Sequence, residues 1–285
     1  MNKIFSNLKF FILTTMILCV VLPAFADEKP VVSVVKGTNV EDTVKKAVDM
    51  LGGMQGRVKK WDRVIIKVSL DEAKPSGSGL VTNVAVVRAL IKMAKEAGAR
   101  SITVADGSLN GNTWKAFDAA GYTQMAKEEG VQLKDLNADF IWRAWLPVGD
   151  NQYKKYSVSM FVLNCEVFIN VPVMKTVDGP APSLSMKNLL GIMIDRWTKR
   201  KLPADGQLDD LIVDMNLIRQ SDLVVIDGTS YGNVIIAGND PVSTDSVAMR
   251  MMRIDPDKIS YLKLAENKGI GRSKDSDIEV KSEKL

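Results

Sequence analysis

Apolar positions along the chain alternate between two spacings. Short apolar runs rich in β-branched residues, at Val31 to Val35, Val64 to Val68, Ser101 to Ala105, Val131 to Leu136, Val167 to Val171, Leu223 to Ile226 and Val234 to Ala237, predict strands. Between them apolar residues recur at helical spacing. Val44, Ala47, Val48 and Leu51 share a face over Val40 to Leu51, and Val84, Val87, Leu90, Ile91 and Ala94 share one from Asn83 to Ala97, where Gly98 ends the pattern. The same spacing predicts helices over Trp114 to Glu129, Ser185 to Ile194, Leu208 to Arg219, Val242 to Arg253 and Lys258 to Lys268. Asp240-Pro241 supplies an N-cap and a first-turn proline for the fourth of these. Trp142 to Tyr156 alternates loosely around Pro147, Gly149 and Asp150 and reads as a β-meander, and the polar last dozen residues read as a frayed end. Strand and helix in alternation predict an α/β fold: a largely parallel sheet flanked by helices, with a small β-meander insertion.

The first residues follow another logic. Lys3 and Lys9 precede an apolar run from Phe10 to Leu22, and Pro23 and Ala24-Phe25-Ala26 follow with the small-x-small pattern of a signal-peptidase site. The run falls short of the ~20 residues that span a bilayer as a helix. An uncleaved anchor is the alternative, and the large residues Met16-Ile17-Leu18 before Cys19 argue against a lipid attachment box. Residues 1–26 are therefore expected to be a signal peptide, and 27–285 a single periplasmic or secreted domain with no membrane anchor after cleavage.

Composition narrows the chemistry by what is missing. The chain has no histidine, which excludes Ser-His-Asp and Cys-His catalysis and histidine-ligated zinc. After cleavage only Cys165 remains, too few thiols for a disulfide or for an iron–sulfur cluster from this chain alone. Cys165 lies in an apolar stretch and reads as a small buried hydrophobe. The net charge of +4, of which Lys3 and Lys9 supply two, is too small to argue for nucleic acid or an anionic membrane surface as a partner.

Polar residues gather at predicted strand ends, the edge at which open parallel sheets place ligands. They are Lys67 with Ser69, Asp106-Gly107-Ser108, Lys175-Thr176, Asp227-Gly228-Thr229-Ser230 and Gly238-Asn239-Asp240, with Lys187-Asn188 on the short helix that follows the third. Lysines placed directly after buried runs need partners. Lys67, Lys175 and Lys187 together would attract an anion. Asp106, Asp227 and Asp245 could pair with them or hold a hard cation. The loop from Gly107 to Asn112 could present backbone N–H groups to an anion, but it is not a nucleotide fingerprint. Asp240 reads equally well as a helix cap, and the whole set as structural ion pairs.

These segments resemble the DUF362 family. The resemblance is carried by Ile66-Lys67, Val104-Ala105-Asp106-Gly107, Pro172-Val173-Met174-Lys175-Thr176, Lys187-Asn188-Leu189-Leu190-Gly191, Ile226-Asp227-Gly228 and Gly238-Asn239-Asp240-Pro241-Val242-Ser243-Thr244-Asp245, in order, with Gly269-Ile270-Gly271 near the end. It covers roughly residues 60–272 and implies no generally assigned activity. Many relatives carry ferredoxin-like cysteine motifs that this chain lacks, and the family tends to place His where this chain has Val177. The expected function is that of an exported, enzyme-like protein binding a small anionic molecule. Lys67, Lys175 and Lys187 would hold the anion, Ser69, Thr176, Asn188, Asp240 and Asp245 would complete the site, and Asp106 or Asp227 would serve as acid–base or cation-binding groups. The cofactor is unknown and no metal site is assigned. The alternative is a non-catalytic binding or accessory protein for a cofactor or redox system.

Overall fold

All seven predicted strands join one sheet, and the runs that are apolar on both sides, such as Val64 to Ile66, are covered on both faces. In a computed structural model describing residues 28–108, 111–149, 152–176, 182–194 and 207–285, these strands are β1 (Val31–Lys36), β2 (Arg63–Lys67), β3 (Ser101–Asp106), β4 (Gln132–Asp135), β7 (Val167–Asn170), β8 (Leu223–Gly228) and β9 (Val234–Gly238). The eighth is β10 (Glu279–Lys284), and the spatial order is β10-β1-β9-β8-β7-β2-β3-β4. Every pairing is parallel except those of β9, which runs against both β1 and β8. The predicted signal peptide lies outside the described residues. Among those residues no helix is long and apolar enough to cross a membrane.

Alternate strand residues enter two cores. Val64 and Ile66 pack beneath α1 (Val40–Asp49), α2 (Val84–Glu96), α3 (Thr113–Ala119) and α4 (Tyr122–Glu129). Ile65 and Phe168 face the other way, towards α7 (Gln207–Ile218), α8 (Pro241–Met251) and α9 (Ser260–Asn267). Two short helices, α5 (Met160–Leu163) and α6 (Ser185–Asn188), complete that side, the latter running into a 3-10 turn at Leu189–Ile192.

Three sequence expectations change. The helix expected over Trp114 to Glu129 is two helices, because Gly121 sits between them at φ 84°. A side chain there meets open space but an unfavourable backbone. Gly121→Ala should therefore cost about 1 kcal/mol in urea unfolding, from dihedral strain alone. The meander is a simple antiparallel hairpin, β5 (Ile141–Gly149) with β6 (Gln152–Ser159), packed on the second core through Ala144 and Val158. The expected frayed end is β10, whose six residues are all exposed. Its charged, alternating Lys and Glu suit a sheet edge, where they discourage pairing with another chain.

Candidate functional site

Lys67 ends β2, and its side chain is 2% exposed. The pleat turns it to the face of Ile65, where α6 passes over the strand end. Its Nζ donates to Asp106 Oδ1 at 2.7 Å, to Asn188 Oδ1 at 2.8 Å and to the carbonyl of Val68 at 2.8 Å, which uses all three of its protons. Asp106, at the end of the adjacent β3, also accepts from the backbone N–H groups of Gly107 (2.8 Å) and Leu70 (2.7 Å). Asn188 passes the network on to Asn170 Oδ1 at 2.7 Å, and Asn170 donates to the carbonyl of Ser185 at 2.9 Å. A Cβ on Gly191 would stand 2.7 Å from both Cε and Nζ of Lys67 and 3.0 Å from Asp106 Oδ1. The spacing of Lys187-Asn188-Leu189-Leu190-Gly191 thus has a physical reason: Asn188 caps the lysine, and glycine lets the backbone pass over it.

Lys175, just beyond β7, turns to the loop between β2 and α2. It donates to the Leu80 carbonyl at 2.7 Å and to Asp71 Oδ2 at 3.3 Å. With Thr176 it lines a cavity of about 400 Å³ whose other walls are Met174, Tyr231 and Met252. Lys187 is half-buried on α6. Burial pulls its pKa below the usual lysine value, and the charges of Asp209 and Asp71 oppose that shift. Among the described residues neither acid closes an ion pair with it.

Asp227 ends β8 beside the start of α2. Its Oδ2 accepts from Asn83 N–H at 2.7 Å, and its Oδ1 from the Thr229 N–H and hydroxyl at 3.0 and 2.7 Å. Burial raises its pKa despite these donors. Ser69 takes part through its backbone N–H, which donates to Thr82 Oγ1 at 2.8 Å. The carboxyl edge therefore unites Lys67, Asp106 and Asn188 in one buried cluster, with Lys175 and Asp227 beside it on the same loop. Lys67, Asp106 and Asp227 are buried and do not line the cavity at Lys175.

Asp240 needs correction. Because β9 is antiparallel, its carboxyl end lies beside the start of β8, away from the end that carries Asp227. There Asp240 caps α8 by accepting from Ser243 N–H at 3.0 Å, and it also accepts from Arg272 N–H at 3.1 Å. A Cβ on Gly271, where φ is 64°, would overlap its carboxylate, which accounts for the late glycine. Asp245, wholly buried on α8, accepts from Ser185 N–H at 2.9 Å and Met186 N–H at 3.0 Å. It holds α6 in place rather than facing a ligand. Asp106, Asp227 and Asp245 thus have separate partners, and among the described residues no group of three or more acidic or thiol side chains is placed to hold a metal ion.

The loop after β3 is described only in part. Ser108 there donates to the Asp71 carbonyl at 3.1 Å and accepts from Gly111 N–H at 3.1 Å. Sequence reading missed Asp71, Thr82, Asn83 and Asn170. The last directly follows the Val-Phe-Ile run as the final residue of its strand, a position that could have marked it, whereas Asp71 carries no pattern.

A family model described as "Domain of unknown function (DUF362)" matches residues 64–250, well over half of the chain. A curated relative, a thylakoid-associated protein of Synechocystis sp., is 21% identical over 245 residues, covering 80% of this chain and 74% of that one. Among solved structures, the lactate racemase apoprotein of Thermoanaerobacterium thermosaccharolyticum aligns with a TM-score of 0.50 at 14% identity, over 72% of this chain. This chain spans 53% of that protein, and the likeness is one of fold.

Proposed function

Because the chain belongs to the DUF362 family, whose description assigns no activity, we propose its function from the site itself: an exported protein that binds a small anion at the carboxyl edge, with Lys187 and Lys175 as the cations. The observation that carries this reading is Lys187. It is a partly desolvated ammonium at a sheet edge suited to ligands, with no ion-pair partner among the described residues. Lys175 stands beside the same Asp71 and, with Thr176, opens on the cavity of about 400 Å³. Lys67 supports the site from within. Its three donors are spent on Asp106, Asn188 and Val68, so it positions α6 rather than touching ligand.

The geometry favours binding over catalysis. Asp106 is committed to Lys67 and two N–H groups, and Asp227 to the start of α2 and Thr229. Each is buried and already accepts three hydrogen bonds, which disfavours proton exchange with a substrate. Export rests on residues 1–26, with Lys3 and Lys9 before the apolar run and Ala24-Phe25-Ala26 after it. Amino-terminal sequencing of the protein from its native host should begin at Asp27.

Isothermal titration with inorganic phosphate and with short carboxylates tests the site. Wild type should bind at least one of these, and Lys187→Ala should weaken that binding about 10- to 150-fold, the loss of one charge-assisted contact worth roughly 1.5–3 kcal/mol. Its melting temperature without ligand should match wild type, because no described carboxylate is stranded. A wild-type protein indifferent to every anion would sink the reading.

A further inference from the structure

Five of the eleven large hydrophobic side chains exposed among the described residues fall between positions 140 and 160. They are Phe140 (82% exposed), Ile141, Trp142, Trp145 (58%) and Met160. Met160 N–H donates to the Phe140 carbonyl at 3.0 Å, and on the hairpin that leaves from Ile141, Ile141 and Trp145 share one face while Trp142 stands on the other. Their clustering is what needs explaining, since scattered exposed hydrophobics are ordinary. Behind Phe140 and Met160 lies a recess of about 270 Å³ with mixed walls, Ile65 and Phe161 beside Thr103 and Gln132.

The charge around this patch has one sign. Ile141, Arg143 and Trp145 share one face of the hairpin with Ser157 and Lys155. Lys155 Nζ lies 4.6 Å from the centre of the Trp145 ring, and Arg143 donates to Ser157 Oγ at 2.7 Å. Neither cation has a carboxylate partner among the described residues. Lys154, on the other face, is neutralised by Asp214 at 3.0 Å. Asp139, next to Phe140, is buried and held by Ser159, Phe161 N–H and Lys134. From 140 to 160 the sequence has three basic residues and one acid, Asp150.

From this pairing of aromatics with unneutralised cations we infer that the hairpin face is a docking surface for an anionic lipid bilayer. Indole and phenyl rings partition to the headgroup level of a membrane, and arginine and lysine beside them gain from the negative surface potential. A protein partner of ordinary composition would leave Arg143 and Lys155 without counter-charge at the centre of the contact. None of these residues belongs to the anion site, so the inference does not depend on that reading.

The test is sedimentation with vesicles of phosphatidylglycerol mixed with phosphatidylcholine, against phosphatidylcholine alone. It uses the chain from Asp27 onward, which holds every element of the fold and lacks the apolar run at Phe10 to Leu22. Wild type should sediment with the mixed vesicles and far less with the neutral ones, and added salt should release it. Arg143→Gln with Lys155→Gln should weaken this binding on the order of 30-fold, about fivefold for each cation at about 1 kcal/mol apiece. Trp145→Ser with Phe140→Ser should abolish it while the melting temperature holds, both side chains being exposed. Binding that ignores these substitutions, equal binding to neutral vesicles, or no binding would overturn the inference. So would a concentration-dependent dimer, without vesicles, that the same substitutions dissolve.

Discussion

Lys67→Met should unfold this protein more readily than any surface substitution, by about 3–5 kcal/mol. Methionine fills much the same volume, so packing around Gly191 is retained and the loss is electrostatic. Asp106 keeps its two N–H donors but loses its cation, and Asn188 Oδ1 loses its donor in a site from which water is excluded. For a domain of this size the melting temperature should fall by about 6–20 °C. Adding Asp106→Asn to Lys67→Met should cost less than the sum of the two single changes, since the second no longer breaks an ion pair. Guanidinium unfolding of the four proteins measures this coupling. A loss below about 1 kcal/mol for Lys67→Met would show that the cluster is not the keystone of the carboxyl edge.

Stability should also fall as the pH rises from 5 to 8. Asp245 is fully enclosed, with the negative Asp240 nearby and no cation paired with it among the described residues. Burial lifts its pKa from 3.8 to about 7, although the Ser185 hydroxyl and the N–H groups of Ser185 and Met186 pull the other way. A carboxyl whose folded pKa lies above its unfolded value binds protons more tightly when folded. Its contribution is complete below pH 3.8 and is lost as the pH climbs through about 7. Between pH 5 and 8 that amounts to about 2–3 kcal/mol. Asp227 and Asp240 shift in the same direction and reinforce it. Asp139 and Asp214 are lowered instead, so their contribution is present above the ordinary carboxylate range and fails only in acid. Urea unfolding at pH 5 and pH 8 reads the slope, and Asp245→Asn, which cannot ionise, should flatten most of it. An unchanged slope in that variant would place the titration elsewhere.

The strands were legible because burial on both sides writes itself as a continuous apolar run, as in Val64 to Ile66. Strand direction is not written in such a run. Yet only five residues separate β8 from β9, Thr229 to Asn233, and a parallel return needs a dozen or more. The reversal of β9 could have been read from that short link, and with it the true place of Asp240. The site was legible where a charged side chain sits at the end of an apolar run, as with Lys67 and Asp106. It was illegible where a backbone group or an irregular loop supplies the partner. Leu70 N–H, Asn83 N–H and the Leu80 carbonyl leave no trace in residue type, and Asp71 and Thr82 follow no period. Gly121 could have been weighed as a helix break, but a lone glycine in a helical pattern is often tolerated.

The antiparallel β9 also sets an order of events in time. β1, the first of the described strands to be made, is flanked by β9 and β10, so Val31 finds Glu279 and Val32 finds Gly238. Until β9 is made, β1 has no neighbour, and its apolar Val32, Val34 and Val35 remain open to water or to a chaperone. The opposite end of the sheet, β2 with β3 and then the edge strand β4, can pair as it is made. Synthesis therefore yields a half-built sheet whose closure waits for its last strands, a slow step dominated by long-range contacts. A chain held open in this way stays threadable until β9 and β10 have been made.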